Sequence, residues 1–404
     1  MSHHASFQSG KMGRYLDGFA KLLSERGYRP HSIKYRMRIA GALGRWLDRR
    51  GLNVRDVDEQ TVAKFLRSRW RYRSRNLADE PGLRLFLNHL RDGGVVRRRR
   101  PRLDQSKLAR TLRAYERYLV RDRALAKATG ENYIRLVHSF LIHKFGKHHF
   151  DLRQLSAPDL TRFLHRYCQH FSKGWAKLLV TALRSFLRYA LVKGLVTNDL
   201  VPCVPTVAYW KRSGLPRAIP KGQVKRILHS SDHRTSIGRR DYAVVLLLAR
   251  LGLRCHEVVH MTLDDIDWAQ GEITVRGKGC RSDRLPIPDD VGTAIAAYLR
   301  RGRPHCATRR LFLRDRAPHD GFSSSTAVGD ILRRVAARAG LDPSGLGPHR
   351  LRHSLATEML RHGATLQEIS EILRHRHADT TAIYAKVDLV ALRQLAQPWP
   401  GARK

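Results

Sequence analysis

Along most of this chain apolar residues recur every three or four positions, the spacing that gathers them on one face of a helix. Leu160, Phe163 and Leu164 follow that rule, as do Leu183, Phe186 and Leu187. The run from Asp241 to Ala249 (DYAVVLLLA) is apolar on nearly every side, so it reads as a buried helix ended by Leu251-Gly252-Leu253-Arg254. After Gly345–Pro348 a further helix carries a packing stripe of Leu351, Leu355, Met359 and Leu360. The next, Thr365 to His375, points Ile369, Ile372 and Leu373 inward. One stretch breaks the helical period. Glu272-Ile273-Thr274-Val275-Arg276 alternates and is rich in β-branched residues, which predicts a strand. Gly277-Lys278-Gly279 is its turn, and Arg284 to Pro288 is the returning strand. The expected fold class is therefore mainly α with a small β-sheet, two N-terminal helical bundles preceding an α+β domain.

Two shifts in composition divide the chain. Arg97, Arg98, Arg99 and Arg100 form a basic run closed by Pro101, and Pro202, Pro205, Gly214, Pro216 and Pro220 crowd a short stretch that suits an extended linker. Expected domains are residues 1–100, 103–201 and 221–404, with a linker at 202–220. The first two are similar to each other. GLRLFLNHLRDGGVV (Gly82 to Val96) aligns without gaps on ALRSFLRYALVKGLV (Ala182 to Val196). Upstream, Val54 to Ser68 parallels Leu152 to Arg166, with Phe-Leu in the same phase. Each segment reads as a bundle of about four helices, and the pair as a duplication.

Charge changes the picture more than composition does. Lys and Arg number 77 against 35 Asp and Glu, a formal net charge of +42 and a pI near 11.2. No fold needs that self-repulsion, so it implies a polyanionic partner. A solvated basic surface is the poorer explanation, because acidic residues serve solubility better. A membrane surface is also anionic, but stretches such as Tyr242 to Ala249 fall far short of the ~20 apolar residues of a spanning helix. The amino-terminal residues lack the apolar core of a signal peptide. Cys168, Cys203, Cys255, Cys280 and Cys306 are scattered, odd in number and without a Cys-x-x-Cys pair. They read as reduced thiols of a cytoplasmic protein and form no zinc framework.

The chemistry concentrates between Gly347 and Val387, GPHRLRHSLATEMLRHGATLQEISEILRHRHADTTAIYAKV. Basic residues surround one tyrosine there. Arginine binds phosphate bidentately, histidine moves protons, and a phenol can act as nucleophile, a mixture suited to attacking a phosphodiester without a metal. His349 and His353 stand four apart, a spacing that also suits a metal pair, but no third ligand accompanies them as in His-Glu-x-x-His.

His-x-x-Arg opening a helix, a second His, then Thr-Thr-x-x-Tyr resembles the catalytic end of the tyrosine recombinases, the phage-integrase-like enzymes that cut and rejoin DNA. Leu251-Gly252-Leu253-Arg254-x-x-Glu257 is similar to a second motif of that family. The resemblance implies an integrase-like catalytic domain in which Tyr384 is the nucleophile and Arg254, Lys278, His349, Arg352 and His375 complete the catalytic set. Glu257, one helical turn from Arg254, is placed to hold its guanidinium. Lys278 on the hairpin is the general acid, although a lysine between glycines is often only a solvated turn residue. Arg374 departs from the family, which usually has Leu-Gly-His where this chain has Leu373-Arg374-His375.

The same resemblance makes residues 103–201 a core-binding domain and residues 1–100 a diverged copy of it. It implies double-stranded DNA at specific sites as partner, with Arg97 to Arg100, Arg276, Arg281 and Arg374 as further contacts. It also implies a homo-oligomer, a dimer on each site and a tetramer in synapsis, with helper proteins or partner recombinases as further company. No cofactor or metal is expected, since bond energy is kept in a 3′-phosphotyrosyl link. Integration or transposition of a mobile element is the setting this suggests. Alternatives are a type IB topoisomerase, which shares the chemistry without exchanging strands, an architectural DNA-binding protein without strand exchange, and an RNA-binding protein that fits the charge alone. The last expected element is an amphipathic tail helix, Asp388 to Ala396, with Leu389, Leu392 and Leu395 on one face.

Overall fold

The computed structural model describes residues 12–72, 74–97, 104–146, 150–169, 172–207, 216–277, 282–375 and 378–387. The chain divides into two compact units, Arg100–Ser213 on the one hand and Met1–Arg99 with Gly214–Lys404 on the other.

Residues 12–97 form helices α1 (Gly13–Glu25), α2 (Pro30–Arg49), α3 (Glu59–Arg69) and α4 (Asp79–Asp92). Their apolar stripes meet in one core containing Phe19, Leu43, Phe65, Phe86 and Leu87. The one buried acid, Asp79, is matched by polar partners: Tyr35 donates to one carboxylate oxygen, and Trp70 Nε1 lies 3.3 Å from the other. In the other unit stand α5 (Lys107–Arg117), continued by a π-turn over Tyr118–Asp122, then α6 (Lys127–Phe145), α7 (Ala157–Cys168) and α8 (Lys173–Val192).

The two bundles correspond beyond their helix count. A 3-10 turn, Val54–Asp56, capped by Asn53, leads into α3, which Asp58 caps. Another, Leu152–Gln154, capped by Asp151, leads into α7, which Ser156 caps. Val54, Val57, Val62, Phe65 and Leu66 are buried in the first; Leu152, Leu155, Leu160, Phe163 and Leu164 are buried in the second. Gly94 (φ +70°) and Gly194 (φ +65°) both reverse the chain after the last helix, in the left-handed region that favours glycine. Truncating a core aromatic such as Phe86 or Phe186 to Ala would cost about 3–5 kcal/mol. The matched positions are therefore packing positions.

The remaining residues of the first unit build a third core around α10 (Ser236–Arg250), which follows α9 (Lys221–His229). Thr235 caps α10 by accepting from the Gly238 N–H at 3.0 Å. From Ala243 to Leu248 every side chain of α10 is buried, because α12 (Asp289–Arg301), α13 (Thr326–Arg338) and α14 (Pro348–Arg361) cover it. After α11 (Cys255–His260) comes a three-stranded antiparallel sheet, β1 (Ile266–Asp267), β2 (Glu272–Arg276) and β3 (Ser282–Pro286), in that order. Ile273 and Val275 turn into the core while Arg276 is exposed. Then come α12 (Asp289–Arg301), α13 (Thr326–Arg338), α14 (Pro348–Arg361), α15 (Leu366–Ile372), α16 (Ala378–Thr381) and a 3-10 turn, Ala382–Val387.

Three sequence expectations shift. The returning strand starts at Ser282, where Arg276↔Ser282 opens the ladder, and Pro288 instead caps α12. β1 was not foreseen. Ile372 was expected inward but is 44% exposed, because the short α15 ends there and turns Leu366, Ile369 and the following Leu373 to the core instead. The tail at 388–396 lies outside the described residues. Among the described residues no helix is long and apolar enough to cross a membrane.

Candidate active site

Gly252 sets the geometry. Its φ is +56°, and a Cβ there would fall 2.7 Å from Leu373 Cδ2 and 3.1 Å from Leu355 Cδ2. Only glycine lets this loop close on α14 and on the residue after α15. The loop delivers Arg254 to the start of α11. There Glu257 accepts twice from Arg254, from its backbone N–H at 2.8 Å and from Nη1 at 2.8 Å. Arg254 Nη2 donates to the Arg374 carbonyl at 3.1 Å. Burial opposes ionisation of Glu257, yet Arg374 and Arg254 hold its carboxyl below the usual range.

Gly347 and Pro348 start α14, proline at the first turn being preset for a helix. That helix carries His349, Arg352 and His353. Arg352 is 6% exposed, and its guanidinium donates to the carbonyls of Gly252 and Leu373. Burial, and then the charges of Arg254 and Arg374, lower its pKa to about 9. His349 is also pushed down, by burial and by Arg352 and Arg254, which favours neutral imidazole.

At the end of α15, Arg374 adopts φ +54°, a left-handed conformation that disfavours a side chain. Its guanidinium compensates by turning inward, 2.9 Å from Glu257 Oε2 and 3.8 Å from Asp283 on β3. Arg374 was expected to touch DNA; its side chain is only 7% exposed and serves these carboxylates. The left-handed turn swings His375 toward Thr381, whose Oγ1 lies 2.7 Å from His375 Nδ1. Burial, then Arg352 and Arg254, lower the His375 pKa to about 4.

Tyr384 is 1% exposed, packed with Ala356, Ile369 and Leu373. Burial raises its pKa to about 12, partly offset by Arg352. Its hydroxyl lies 2.9 Å from His353 Nδ1. The sequence reading gave His353 no role beyond a metal pair it discounted. The available signal was its place beside Arg352 and one turn after His349.

The structure thus brings Arg254, Glu257, His349, Arg352, His375 and Tyr384 into one electrostatically coupled cluster, and adds Arg374 and His353. Arg276 stands apart at the exposed end of β2, 2.8 Å from Asp265, and Arg97 is exposed after α4. Lys278, Arg98, Arg99, Arg100 and Arg281 lie outside the described residues. Among the described residues no three His, Cys, Asp or Glu side chains group to hold a metal ion. Three guanidiniums, two of them paired with the buried Glu257, lie beside a phenol. That surplus suits an anion that bears two or more acceptor oxygens, such as a phosphodiester.

Fold and site together define a DNA strand transferase of the integrase type. The pattern of the phage integrase family matches residues 217–389. A putative integrase/recombinase of Sinorhizobium fredii, y4rA, is 46% identical over 393 residues, covering 97% of this chain and 95% of that relative. Tyrosine recombinase XerD of Mycobacterium tuberculosis is 31% identical over 312 residues, covering 73% of this chain and 97% of its own length. Among solved structures, XerH site-specific recombinase bound to palindromic difH substrate, a post-cleavage complex, matches with a TM-score of 0.53 at 16% identity, over 96% of this chain and 95% of that one. This likeness is one of fold. The chain belongs to the phage integrase family of tyrosine recombinases, and it is a site-specific recombinase that breaks and rejoins DNA strands.

Proposed function

We propose that Tyr384 is the nucleophile of this recombinase and that the cluster around it binds the scissile phosphate. Tyr384 Oη attacks phosphorus, leaving a 3′-phosphotyrosyl link and a free 5′-hydroxyl. A 5′-hydroxyl of a partner strand then attacks that link and restores the backbone. Arg254 and Arg352 stabilise charge on the non-bridging oxygens, His349 and His375 hydrogen-bond the phosphate, and Lys278 protonates the departing 5′-oxygen. Glu257 orients Arg254. The observation that carries this reading is Arg352, a buried guanidinium that hydrogen-bonds two backbone carbonyls and lies beside the buried tyrosine.

In this reading residues 103–201 grip the duplex opposite the catalytic domain, and residues 1–100 are a second copy of that bundle. The equivalent caps and burial of the two bundles support the duplication. Two copies act on each site and four in synapsis, because exchange joins two duplexes at four strands. XerH was solved on a palindromic substrate, and such symmetry suits paired subunits. Much of the affinity comes from phosphate contacts, as the net charge of +42 requires, and falls steeply with salt. Integration or transposition of a mobile element is the setting proposed.

The test uses a nicked recombination site that traps the covalent complex. Tyr384→Phe should bind the site normally and form no adduct resistant to detergent, while a divalent-ion chelator leaves wild-type cleavage intact. An undiminished adduct in Tyr384→Phe moves the nucleophile elsewhere, and suppression by the chelator contradicts the metal-free mechanism.

A further inference from the structure

Among the described residues one histidine lies within hydrogen-bond reach of the tyrosine hydroxyl, and it is neither His349 nor His375, the two placed in the catalytic set from the sequence. His353 Nδ1 lies 2.9 Å from Tyr384 Oη, with the rings 5.6 Å apart and inclined at 63°. The two rings thus meet edge to face, with Nδ1 turned to the hydroxyl. His375 instead directs Nδ1 to Thr381 at 2.7 Å. The position is also dry, since Tyr384 is 1% exposed. Bulk water has no access to take the proton, and a buried phenol gives it up reluctantly, with a pKa of about 12. Burial, followed by the charges of His349 and Arg352, pushes His353 down and keeps its imidazole neutral. A neutral imidazole in the tautomer that leaves Nδ1 bare accepts a proton from a hydroxyl at this distance.

We propose that His353 is the general base that receives the Tyr384 proton as the phenol attacks phosphorus. The inference rests on Tyr384 being the nucleophile. In the step the P–Oη bond forms, the P–O5′ bond breaks, and the Oη proton passes to His353 Nδ1. The departing 5′-oxygen takes its own proton from the acid, Lys278 in this reading. The imidazolium that results is offset by the negative charge gathering on the phosphate oxygens. During rejoining the flow reverses: the incoming 5′-hydroxyl attacks, and His353 returns the proton to the leaving phenolate oxygen. His353 needs Nε2–H and bare Nδ1 at the start, the tautomer that accepts from a hydroxyl.

His353→Asn tests this, because its amide oxygen keeps an acceptor near the Nδ1 position without basicity. Site binding should be unchanged while covalent adduct formation falls about a hundredfold or more, the usual share of a general base. Replacing Tyr384 by 3,5-difluorotyrosine, a more acidic phenol, should return most of the lost rate in His353→Asn and add little to the wild type. A third measurement guards against a damaged site. In the Tyr384→Phe protein, a 5′-hydroxyl can attack DNA carrying a 3′-p-nitrophenyl phosphate, whose leaving group departs without a proton. Adding His353→Asn should leave that transfer rate unchanged. The proposal is overturned if His353→Asn forms adduct at the wild-type rate, if the acidic phenol recovers nothing, or if transfer from nitrophenyl phosphate slows equally. An adduct persisting in Tyr384→Phe alone defeats the nucleophile assignment instead, so the two failures are told apart.

Discussion

Two of the three buried acids described in the catalytic domain, Asp241 and Glu257, each meet two arginines, and the two clusters are built to opposite ends. Asp241, fully buried on α10, accepts at 3.0 and 2.7 Å from Arg240 on one oxygen and at 2.9 Å from Arg334 on the other. Arg240 completes its bonding with the Leu313 carbonyl at 2.9 Å and lies over the Phe322 ring. Donors and acceptors match. Glu257, also buried, serves Arg254 and Arg374, while Arg352 beside them donates to two carbonyls. Three guanidiniums there meet one buried carboxylate, against two in the first cluster, and among the described residues Arg352 forms no salt bridge. The difference teaches that a buried arginine does not by itself mark a phosphate site; a guanidinium without a carboxylate of its own does. The first cluster pairs each of its guanidiniums with the carboxylate, and the second leaves Arg352 without one.

Removing one member from each cluster should therefore have unlike consequences. Asp241→Ala leaves Arg240 buried without a counter-charge and should lower stability by about 3–5 kcal/mol, read from denaturant midpoints. A loss below about 1 kcal/mol would erase the contrast. Arg352→Met should instead reduce strand cleavage by roughly 10²–10³, the effect of losing one preorganised donor, with the midpoint unchanged or higher. The sign follows from its pKa of about 9 against an ordinary 12.5: the folded state disfavours the charge, and that penalty is fully present at neutral pH and relieved only above about pH 9. If Arg352→Met unfolds as readily as Asp241→Ala, the two clusters are alike and the argument from surplus charge fails.

A smaller effect is expected with pH. Burial and the neighbouring arginines lower His375 from an ordinary 6.5 to about 4, and His349 and His353 move the same way. Between about pH 6.5 and 4 the unfolded chain takes up protons that the folded site refuses, so stability falls as pH falls. The slope of midpoint against pH should be shallower in His375→Gln, and an unchanged slope would mean that His375 titrates normally. Smallest of all is Arg374→Gly. Glycine relieves the left-handed backbone by roughly 1 kcal/mol, while Glu257 loses one of two partners, so stability should stay within about 1 kcal/mol. Arg254 keeps both bonds to Glu257, and cleavage should stay within about tenfold; a collapse of cleavage would make Arg374 a direct phosphate ligand.

What the sequence disclosed of this site follows chain proximity. Arg254 and Glu257 stand one helical turn apart, and His349 and Arg352 share a turn, so their meeting is written in their spacing. The Tyr384–His353 contact spans 31 positions and depends on how the last 3-10 turn folds back on α14, which periodicity does not encode. From the sequence Arg374 is a DNA contact standing where the family has glycine; its left-handed φ of +54° and its inward side chain, paired with Glu257, are not encoded in local pattern. In the fold, helices with continuous apolar faces such as α8 and α10 were legible. β1 has two residues and exists only through its pairing with Ile273 and Glu272, so no local pattern announces it. Ile372 failed at smaller scale: it is the last residue of a seven-residue helix, whose core face is set by Ile369 and by Leu373 just beyond the end.

The central claim, that the surplus-charge cluster is where a tyrosine joins DNA, is tested most directly by locating the covalent bond. Wild-type protein trapped on a nicked site would be digested with protease and nuclease, and the nucleotide-bearing peptide sequenced by mass spectrometry. The account predicts a single modified residue, Tyr384, linked through a 3′-phosphate. Among the 13 tyrosines of the chain, a nucleotide carried by any other, or a link through a 5′-phosphate, would contradict it.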